Sequence, residues 1–530
     1  MNVNGKGCFP IVTYAVQSRG PVPSGLMLDN GPALLASYLL NEGYKPIIFD
    51  FNNLKTIEDI AKHGKEAFVK DSIDFLDDYY RSNNVKIAGT KLYANGFVDN
   101  IKIHEELKRR NPGLILVAGG PHVDWFGEEI FNYTDAFDMI TYGDGDSAIV
   151  PLAKLAYDNG NIEDVPNIIY RKNGQAIRTK RKEVSLDNLP RPIYDEEYYP
   201  ELDGKIHIVP IEDSRGCSYG RCGFCVHTRI AGKRRVRPVE QLVREIEDSG
   251  MKVSRLSGPS PMPEYISELV RQIPGKKISA FTYSFPGYDF VELSKGFTGA
   301  FIGLESTDKN ILENVLKKTD NTEQYLKNAS EMVREFKKHG VATIVAMMVP
   351  CPGETPETME RSIKYLVDMQ PDFVVTLPMG PIPGTSIARK ADKDPERTGV
   401  LLEEDFAKKM MLYELDLLQM PEEWPAPPWK TKNANGKFMN PFVETTKFTE
   451  ELVKNGMLPL SDEIVLMSYL YHDGLSLDQD ERRAQCNEFM ASIRKDIETG
   501  NVAGVGAKLR TMNRNQLAGS KQVQMSSASF

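Results

Sequence analysis

No run of about 18 consecutive apolar residues occurs in this chain, which removes a membrane-spanning helix from consideration. The start, Met-Asn-Val-Asn-Gly-Lys-Gly, lacks the charged opening and apolar core of a secretory signal. A cytoplasmic location without a membrane partner is therefore expected. Positive charge is not in excess, with 65 Lys and Arg against 74 Asp and Glu and a formal net charge of -9. That balance excludes the broad basic face of a nucleic-acid binder. The one basic run, Lys233, Arg234, Arg235 and Arg237, reads as a solvated helix entrance. No Gly-x-Gly-x-x-Gly fingerprint opens the first helical pattern, which lowers the case for a nicotinamide cofactor. Internal repeats are absent, and cysteine is scarce at six in 530 residues.

Half of those cysteines stand together. Cys217, Cys222 and Cys225 fall within nine residues, Arg-Gly-Cys-Ser-Tyr-Gly-Arg-Cys-Gly-Phe-Cys being the surrounding run. Three thiolates so close can hold three irons of a four-iron, four-sulfur (4Fe-4S) cluster and leave the fourth open to a small molecule. Zinc competes, because a Cys-x2-Cys pair suits a tetrahedral site and His227 lies two residues on. A disulfide framework is disfavoured, since Cys8, Cys351 and Cys486 are scattered in a chain read as cytosolic.

At about 150 residues per domain, the length suggests about three domains. Up to about residue 160, apolar runs (Phe9 to Val16, Pro46 to Phe51, Val85 to Leu92, Leu114 to Gly120, Met139 to Gly143) alternate with helical spacing. This α/β rhythm predicts a doubly wound parallel sheet, with ligands beyond the carboxyl ends of its strands. Two glycine turns fall there, Gly119-Gly120-Pro121-His122 and Gly143-Asp144-Gly145-Asp146. A hairpin and a proline-studded linker follow, so the first domain is placed at 1–180 and the linker at 181–204. A second βα alternation over 205–395 predicts a barrel or partial barrel of the TIM type, with the cysteine loop at the end of its first strand. Residues 396–512 read as a mainly helical domain, and 513–530, polar and rich in small residues, as a disordered tail.

A cysteine-rich loop after a first barrel strand, with Phe224 before the last cysteine, resembles the radical S-adenosylmethionine (radical SAM) enzymes. The preceding sheet, with Val117-Ala-Gly-Gly-Pro-His-Val123 and Tyr142-Gly-Asp-Gly-Asp146, is similar to the cobalamin-binding domain of one branch of that superfamily. Leu189-Pro-Arg-Pro, Arg235-Val-Arg-Pro, Ile302-Gly-Leu-Glu-Ser306, Val349-Pro-Cys-Pro-Gly-Glu-Thr355 and Pro381-Ile-Pro-Gly-Thr385 follow in the order that branch has. The resemblance covers roughly residues 8 to 390. One departure is the Cys-x4-Cys-x2-Cys spacing, where the family has Cys-x3-Cys-x2-Cys; Gly220 lies in the longer segment, where a bulge can absorb the extra residue.

The resemblance implies three cofactors: a 4Fe-4S cluster on Cys217, Cys222 and Cys225, S-adenosylmethionine, and cobalamin on a Rossmann-like domain. It implies that the open iron binds S-adenosylmethionine, whose reductive cleavage gives a 5'-deoxyadenosyl radical. Around that cofactor it assigns Phe224, Ser257, Gly258, Glu305, Gly353 and Glu354, with a simple turn as the alternative for Ser257-Gly258, a salt bridge for Glu305 and helix capping for Gly353-Glu354. For cobalamin it assigns Gly119, Gly120, His122 and Gly143, His122 without reaching the metal. The family's Asp-x-His-x-x-Gly motif is absent from Ala15 to Leu35, so cobalamin is expected base-off with no protein histidine beneath cobalt. The implied activity is methylation of an unactivated carbon of a small molecule or peptide, fed by an external electron donor of the flavodoxin or ferredoxin type. A non-methylating radical reaction is the alternative, and a zinc-stabilised binding protein the third. From their position, the C-terminal aromatics, including Trp424, Trp429 and Tyr469 to Tyr471, are expected to cap the barrel mouth.

Overall fold

The computed structural model describes residues 6–419, 421–433 and 435–517. The first sheet contains β1 (Cys8–Thr13), β2 (Lys45–Asp50), β3 (Ile87–Lys91), β4 (Ile115–Gly119), β5 (Met139–Thr141), β6 (Ile168–Lys172) and β7 (Gln175–Arg178). They lie in the order β2-β1-β3-β4-β5-β6-β7. The first five are parallel and the last two join antiparallel. The parallel strands of this sheet are largely buried on both faces, and helices such as Asn30–Asn41 and Phe97–Arg110 cover them, whereas the edge strand β7 is exposed. The strand order reverses between β1 and β3, and a crevice opens at such a point at the carboxyl ends. Between β2 and β3 the chain forms two helices, Leu54–His63 and Lys65–Ser82, because Gly64 at φ 83° breaks the run between them.

The second sheet starts at β8 (Val209–Ile211), and the ribbon of β9 (Ser214–Arg215) with β10 (Arg235–Val236) encloses the cysteine loop. It continues through β11 (Val253–Leu256), β12 (Lys277–Thr282), β13 (Phe297–Glu305), β14 (Ala342–Met348) and β15 (Phe373–Leu377). All six strands are parallel in the order β15-β14-β13-β12-β11-β8, which makes an open, partial barrel. Alternate residues face opposite ways. Ala300, Ile302, Leu304, Val345 and Met347 pack with the surrounding helices, whereas Val253, Phe301, Ala342, Ile344 and Phe373 pack with the C-terminal helices.

Residues beyond 395 are not wholly helical. β16 (Val400–Leu402), β17 (Trp429–Lys432) and β18 (Phe438–Met439) make a small antiparallel sheet. Helices Asp462–Tyr471, Gln479–Glu498 and Val502–Leu517 cover the second face of the partial barrel. Tyr469 and Tyr471 accordingly belong to that packing, and of the described C-terminal residues only Glu463 lines the large cavity beside the barrel mouth. Trp429 packs in a separate cluster with Phe224, Cys351 and Met379. Of the expected disordered tail, 518–530 lies outside the described residues. Residues 513–517 instead finish the last helix, where Asn513 Oδ1 accepts from the His207 amide at 2.9 Å and Gln516 Oε1 from the Val253 amide at 2.8 Å. Their polarity serves buried backbone groups rather than solvent. No described helix is long and apolar enough to cross a membrane.

Candidate active site between the two sheets

A cavity of about 940 Å³ lies between the carboxyl ends of the two sheets. Gly119, Gly120 and Gly143 line it from the first sheet, and Ser257 and Cys225 from the second. The glycines are needed at close quarters. A Cβ on Gly119 would meet Thr141 Oγ1 at 2.5 Å, and Gly120, at φ 96°, has Lys91 Cγ at 2.8 Å. Gly143, at φ 68°, donates its amide to Asp124 Oδ1 at 2.6 Å. Burial pushes that carboxyl up to about 7.

His122 does not line the cavity, which corrects its placement among the groove residues. Its Nε2 is 2.9 Å from the Met411 carbonyl, and its ring lies among Phe97, Phe126 and Trp125. Burial lowers it to about 4, so it is a neutral, structural imidazole.

The cysteine loop is built by contacts at both ends. Gly223 N donates to the Leu316 carbonyl at 2.8 Å and Ile387 N to the Gly223 carbonyl at 3.1 Å. Gly220, in the longer segment of the loop, is at φ 65°. Beside it Tyr219 stacks on Tyr283 with ring centroids 5.2 Å apart, and Arg221 reaches Asp320 at 2.6 Å. Cys225 opens onto the cavity, while Cys217 and Cys222 are half-buried. Burial, with Cys225 and Cys217 adding, pushes the free Cys222 thiol up to about 12. Among the described residues no three His, Cys, Asp or Glu groups converge tightly enough for a single metal ion. Zinc draws its ligands around one centre, whereas a 4Fe-4S cluster takes each sulfur at a different iron. Three thiols in one loop, with Cys225 opening onto the cavity, fit such a cluster.

The remaining expected residues sit around the loop with other partners. Asp213 Oδ1 accepts from Gly258 N at 2.6 Å, and Ser257 Oγ donates to the Ile211 carbonyl at 3.2 Å, so this turn ties β8 to β11. Burial raises Asp213 to about 6. Glu305, at φ 72°, pairs with Lys318 at 3.0 Å inside the protein. Gly353 is at φ 89°, and Glu354 Oε1 accepts from Thr358 Oγ1 at 2.9 Å beside the Thr355 N-cap. Burial raises Glu354 to about 7. Phe224 packs with Cys351 and Met379.

Sequence reasoning missed three polar groups. Asp29, Lys91 and Tyr93 line the cavity as one unit, with Lys91 Nζ 2.8 Å from Asp29 Oδ1 and the Tyr93 hydroxyl donating to Asp29 Oδ2 at 2.8 Å. It also missed that Asp144 and Asp146 bind arginines: Arg215 Nη1 is 3.2 Å from Asp144 Oδ1 and 2.5 Å from Asp146 Oδ2, and Arg235 also pairs with Asp144. Acidic residues in a glycine-rich turn were a visible signal; their partners were not.

Residues 211–366 match the Radical SAM superfamily model, so this part of the chain is a radical SAM domain. An uncharacterised methyltransferase, PH0819, from Pyrococcus horikoshii is 25% identical over 396 residues, which cover 71% of this chain and 79% of that protein. The fold is that of the radical SAM methyltransferase TsrM from Kitasatospora setae, solved with cobalamin and a 4Fe-4S cluster: TM-score 0.64 at 15% identity, covering 92% of this chain and 99% of that one. The cobalamin-dependent radical enzyme OxsB, solved with aqua-cobalamin, matches at TM-score 0.59 and 15% identity, covering 97% and 80%.

Proposed function

From the premise that this chain is a radical SAM enzyme, we propose that it is cobalamin-dependent and methylates an unactivated carbon of a small molecule. The observation that carries this reading is the single cavity shared by the glycine turns of one sheet and Cys225 of the other. On this reading Cys217, Cys222 and Cys225 hold the 4Fe-4S cluster, and residues 1–180 hold cobalamin against Gly119, Gly120 and Gly143. Residues 181–204 join them to the radical SAM unit at 205–395, and 396–512 complete that unit. When bound, these groups supply one-electron cleavage of S-adenosylmethionine and a methyl group for transfer.

The chain's own part is to position and to exclude. Glycine backbone allows a planar ligand close approach where any side chain would collide. Ser257-Gly258, Glu305 and Gly353-Glu354 stand at or after the carboxyl ends of β11, β13 and β14, where they can donate to or accept from S-adenosylmethionine, and Phe224 offers a ring beside it. The enclosing sheets keep water from a reactive centre. Electrons come from a flavodoxin- or ferredoxin-type donor. The His122 ring is turned to Met411, so His122 would not serve as a ligand to cobalamin; nitrogen superhyperfine splitting from a protein ligand in the cob(II)alamin resonance spectrum, lost in His122→Phe, would reject this.

The test is anaerobic protein reconstituted with iron, sulfide and cobalamin, then given S-adenosylmethionine, reductant and candidate substrates. Formation of both 5'-deoxyadenosine and S-adenosylhomocysteine is expected, with Cys222→Ala losing the former. Deoxyadenosine alone would favour a non-methylating reaction, in keeping with OxsB being named a radical enzyme rather than a methyltransferase. Neither product, from colourless protein, rejects both.

A further inference from the structure

Seven carboxylates line the large cavity, and six of them are matched by a lysine or arginine. Lys91 answers Asp29, Lys205 answers Asp50, Arg235 answers Asp144, Arg215 answers both Asp146 and Glu212, and Arg255 answers Glu463. Asp124 is the exception, with no ion pair among the described residues. Its one hydrogen bond is the one that Gly143 N donates to Oδ1 at 2.6 Å. Oδ2 has no partner among the described residues.

The position of this acid joins the two glycine turns. Asp124 follows Gly119-Gly120 on the short helix Pro121–Phe126 and reaches across to the amide of Gly143. Beside the turns one arm of the cavity is apolar, lying between the first sheet and the helices Asn30–Asn41 and Asp146–Tyr157. Phe9, Ile11, Leu35, Val117, Ile149 and Leu152 line that arm. Such a lining suits a flat aromatic base, and a polar group joined to the base would come to rest at the turns. Cobalamin has this order in its nucleotide tail, where a benzimidazole is tied through ribose to an anionic phosphodiester.

Asp124 is also set apart by its proton. Burial is the largest influence and raises the carboxyl to about 7; the Gly143 amide, Arg181 and Arg229 oppose it, and Asp144 adds to it. The two arginines are held elsewhere, Arg181 by the carbonyls of Arg229 and Ile230 and Arg229 by that of Pro383. On the adjoining elements Glu128 pairs with Arg178, Glu129 accepts from Asn132, Lys409 pairs with Glu403, and Lys408 lines a separate groove.

We propose that Asp124 Oδ2 donates a hydrogen bond to the phosphodiester of cobalamin's nucleotide tail, and that this bond makes cobalamin binding sensitive to pH. An O–H donor facing an anionic oxygen is among the stronger hydrogen bonds, whereas an ionised Asp124 would meet the phosphodiester as a like charge. The proposal rests on the cobalamin reading and assigns a donor that the glycine turns alone do not supply.

The test titrates methylcobalamin into the reconstituted full chain between about pH 6 and about pH 8, with binding read from absorbance. Wild-type affinity should fall about tenfold across that interval, because the fraction able to donate drops from about nine-tenths to about one-tenth. Asp124→Asn keeps an uncharged donor at every pH, so its affinity should vary by less than about twofold. Methylcobinamide, the same corrin without nucleotide and phosphodiester, should show less than about twofold variation with either protein. A flat wild-type profile, a slope that survives Asp124→Asn, or an equal slope with methylcobinamide would each overturn the proposal while the cofactor reading stands. Methylcobalamin that binds at no pH would reject the cofactor reading and this proposal with it.

Discussion

Asp146 Oδ2 lies 2.5 Å from Arg215 Nη1, which ties the turn after β5 of the first sheet to a residue two places ahead of Cys217. Asp144 adds to this by pairing with Arg215 and with Arg235, the partner of Arg215 in the β9–β10 ribbon. The two sheets are thereby locked at the point where the cavity meets the cysteine loop. Removing one member of a buried pair strands the other charge. Arg215 keeps Glu212 and Asp144, so Asp146→Ala should lower unfolding stability by about 1–3 kcal/mol rather than the full cost of an orphaned ion. Equilibrium denaturation measures this; an unchanged midpoint would show that the pair holds nothing.

Gly120 tests the cradle. Its φ of 96° disfavours any side chain, and a Cβ would lie 2.8 Å from Lys91 Cγ and 3.1 Å from the Leu92 carbonyl. Gly120→Ala should cost about 1–3 kcal/mol and weaken cobalamin binding by about tenfold or more. Gly113→Ala, where nothing lies within 4 Å, is the control and should alter neither. Spectroscopic titration of cobalamin into both variants decides the point.

Asp124 predicts a pH dependence. Burial raises its carboxyl to about 7, against about 3.9 in an unfolded chain, so the folded protein keeps a proton that the unfolded one gives up. The stability this contributes is complete below about pH 4 and is lost as the pH rises through about 7. The difference in unfolding free energy between wild type and Asp124→Asn should therefore fall, from the wild type's side, across that window and level off above it. A difference that stays constant from about pH 4 to 8 would contradict the assignment.

Arg482 and Asp372 form a fully buried pair, Nη2 to Oδ1 at 2.7 Å, that pins the helix Gln479–Glu498 to the residue before β15. Asp372 also accepts from the Thr343 amide and hydroxyl at 2.8 and 2.9 Å. Arg482→Ala leaves that carboxylate uncompensated and should cost about 3–5 kcal/mol. Thermal unfolding at fixed protein concentration reads it, and a loss within experimental scatter would refute the pair's role.

Much of the architecture was legible because it is written locally. Strands such as Val253–Leu256, Ala342–Met348 and Phe373–Leu377 are short apolar runs between helical repeats, which is the βα alternation read over 205–395. The glycine turns were legible as strand-end approaches. What escaped was pairing across long sequence distance. Nothing near Asp146 announces Arg215, and nothing near Arg255 announces Asp462, because period and propensity report a residue's own element rather than the one it will meet. The placement of Asp462–Tyr471 had a readable sign: its apolar residues run around the whole helix, as in one buried on all sides. The glycine turn predicts His122 in the cobalamin groove without reaching the metal; that it packs away from the cavity is decided by the neighbouring rings and the Met411 carbonyl, which no local pattern announces.

The helices that fill the concave side of the second sheet divide the labour of the molecule. The glycine turns and the cysteine loop stand at strand ends, whereas the layer behind the second sheet comes from a separate stretch of chain packed through Val465, Leu466, Met467 and Phe489. That layer meets the strand ends at its first turn, where Asp462 and Glu463 hold Arg255 two residues before Ser257, so a change there is transmitted to the cavity, whereas repacking deeper along residues 465–471 leaves those strand ends as they stand.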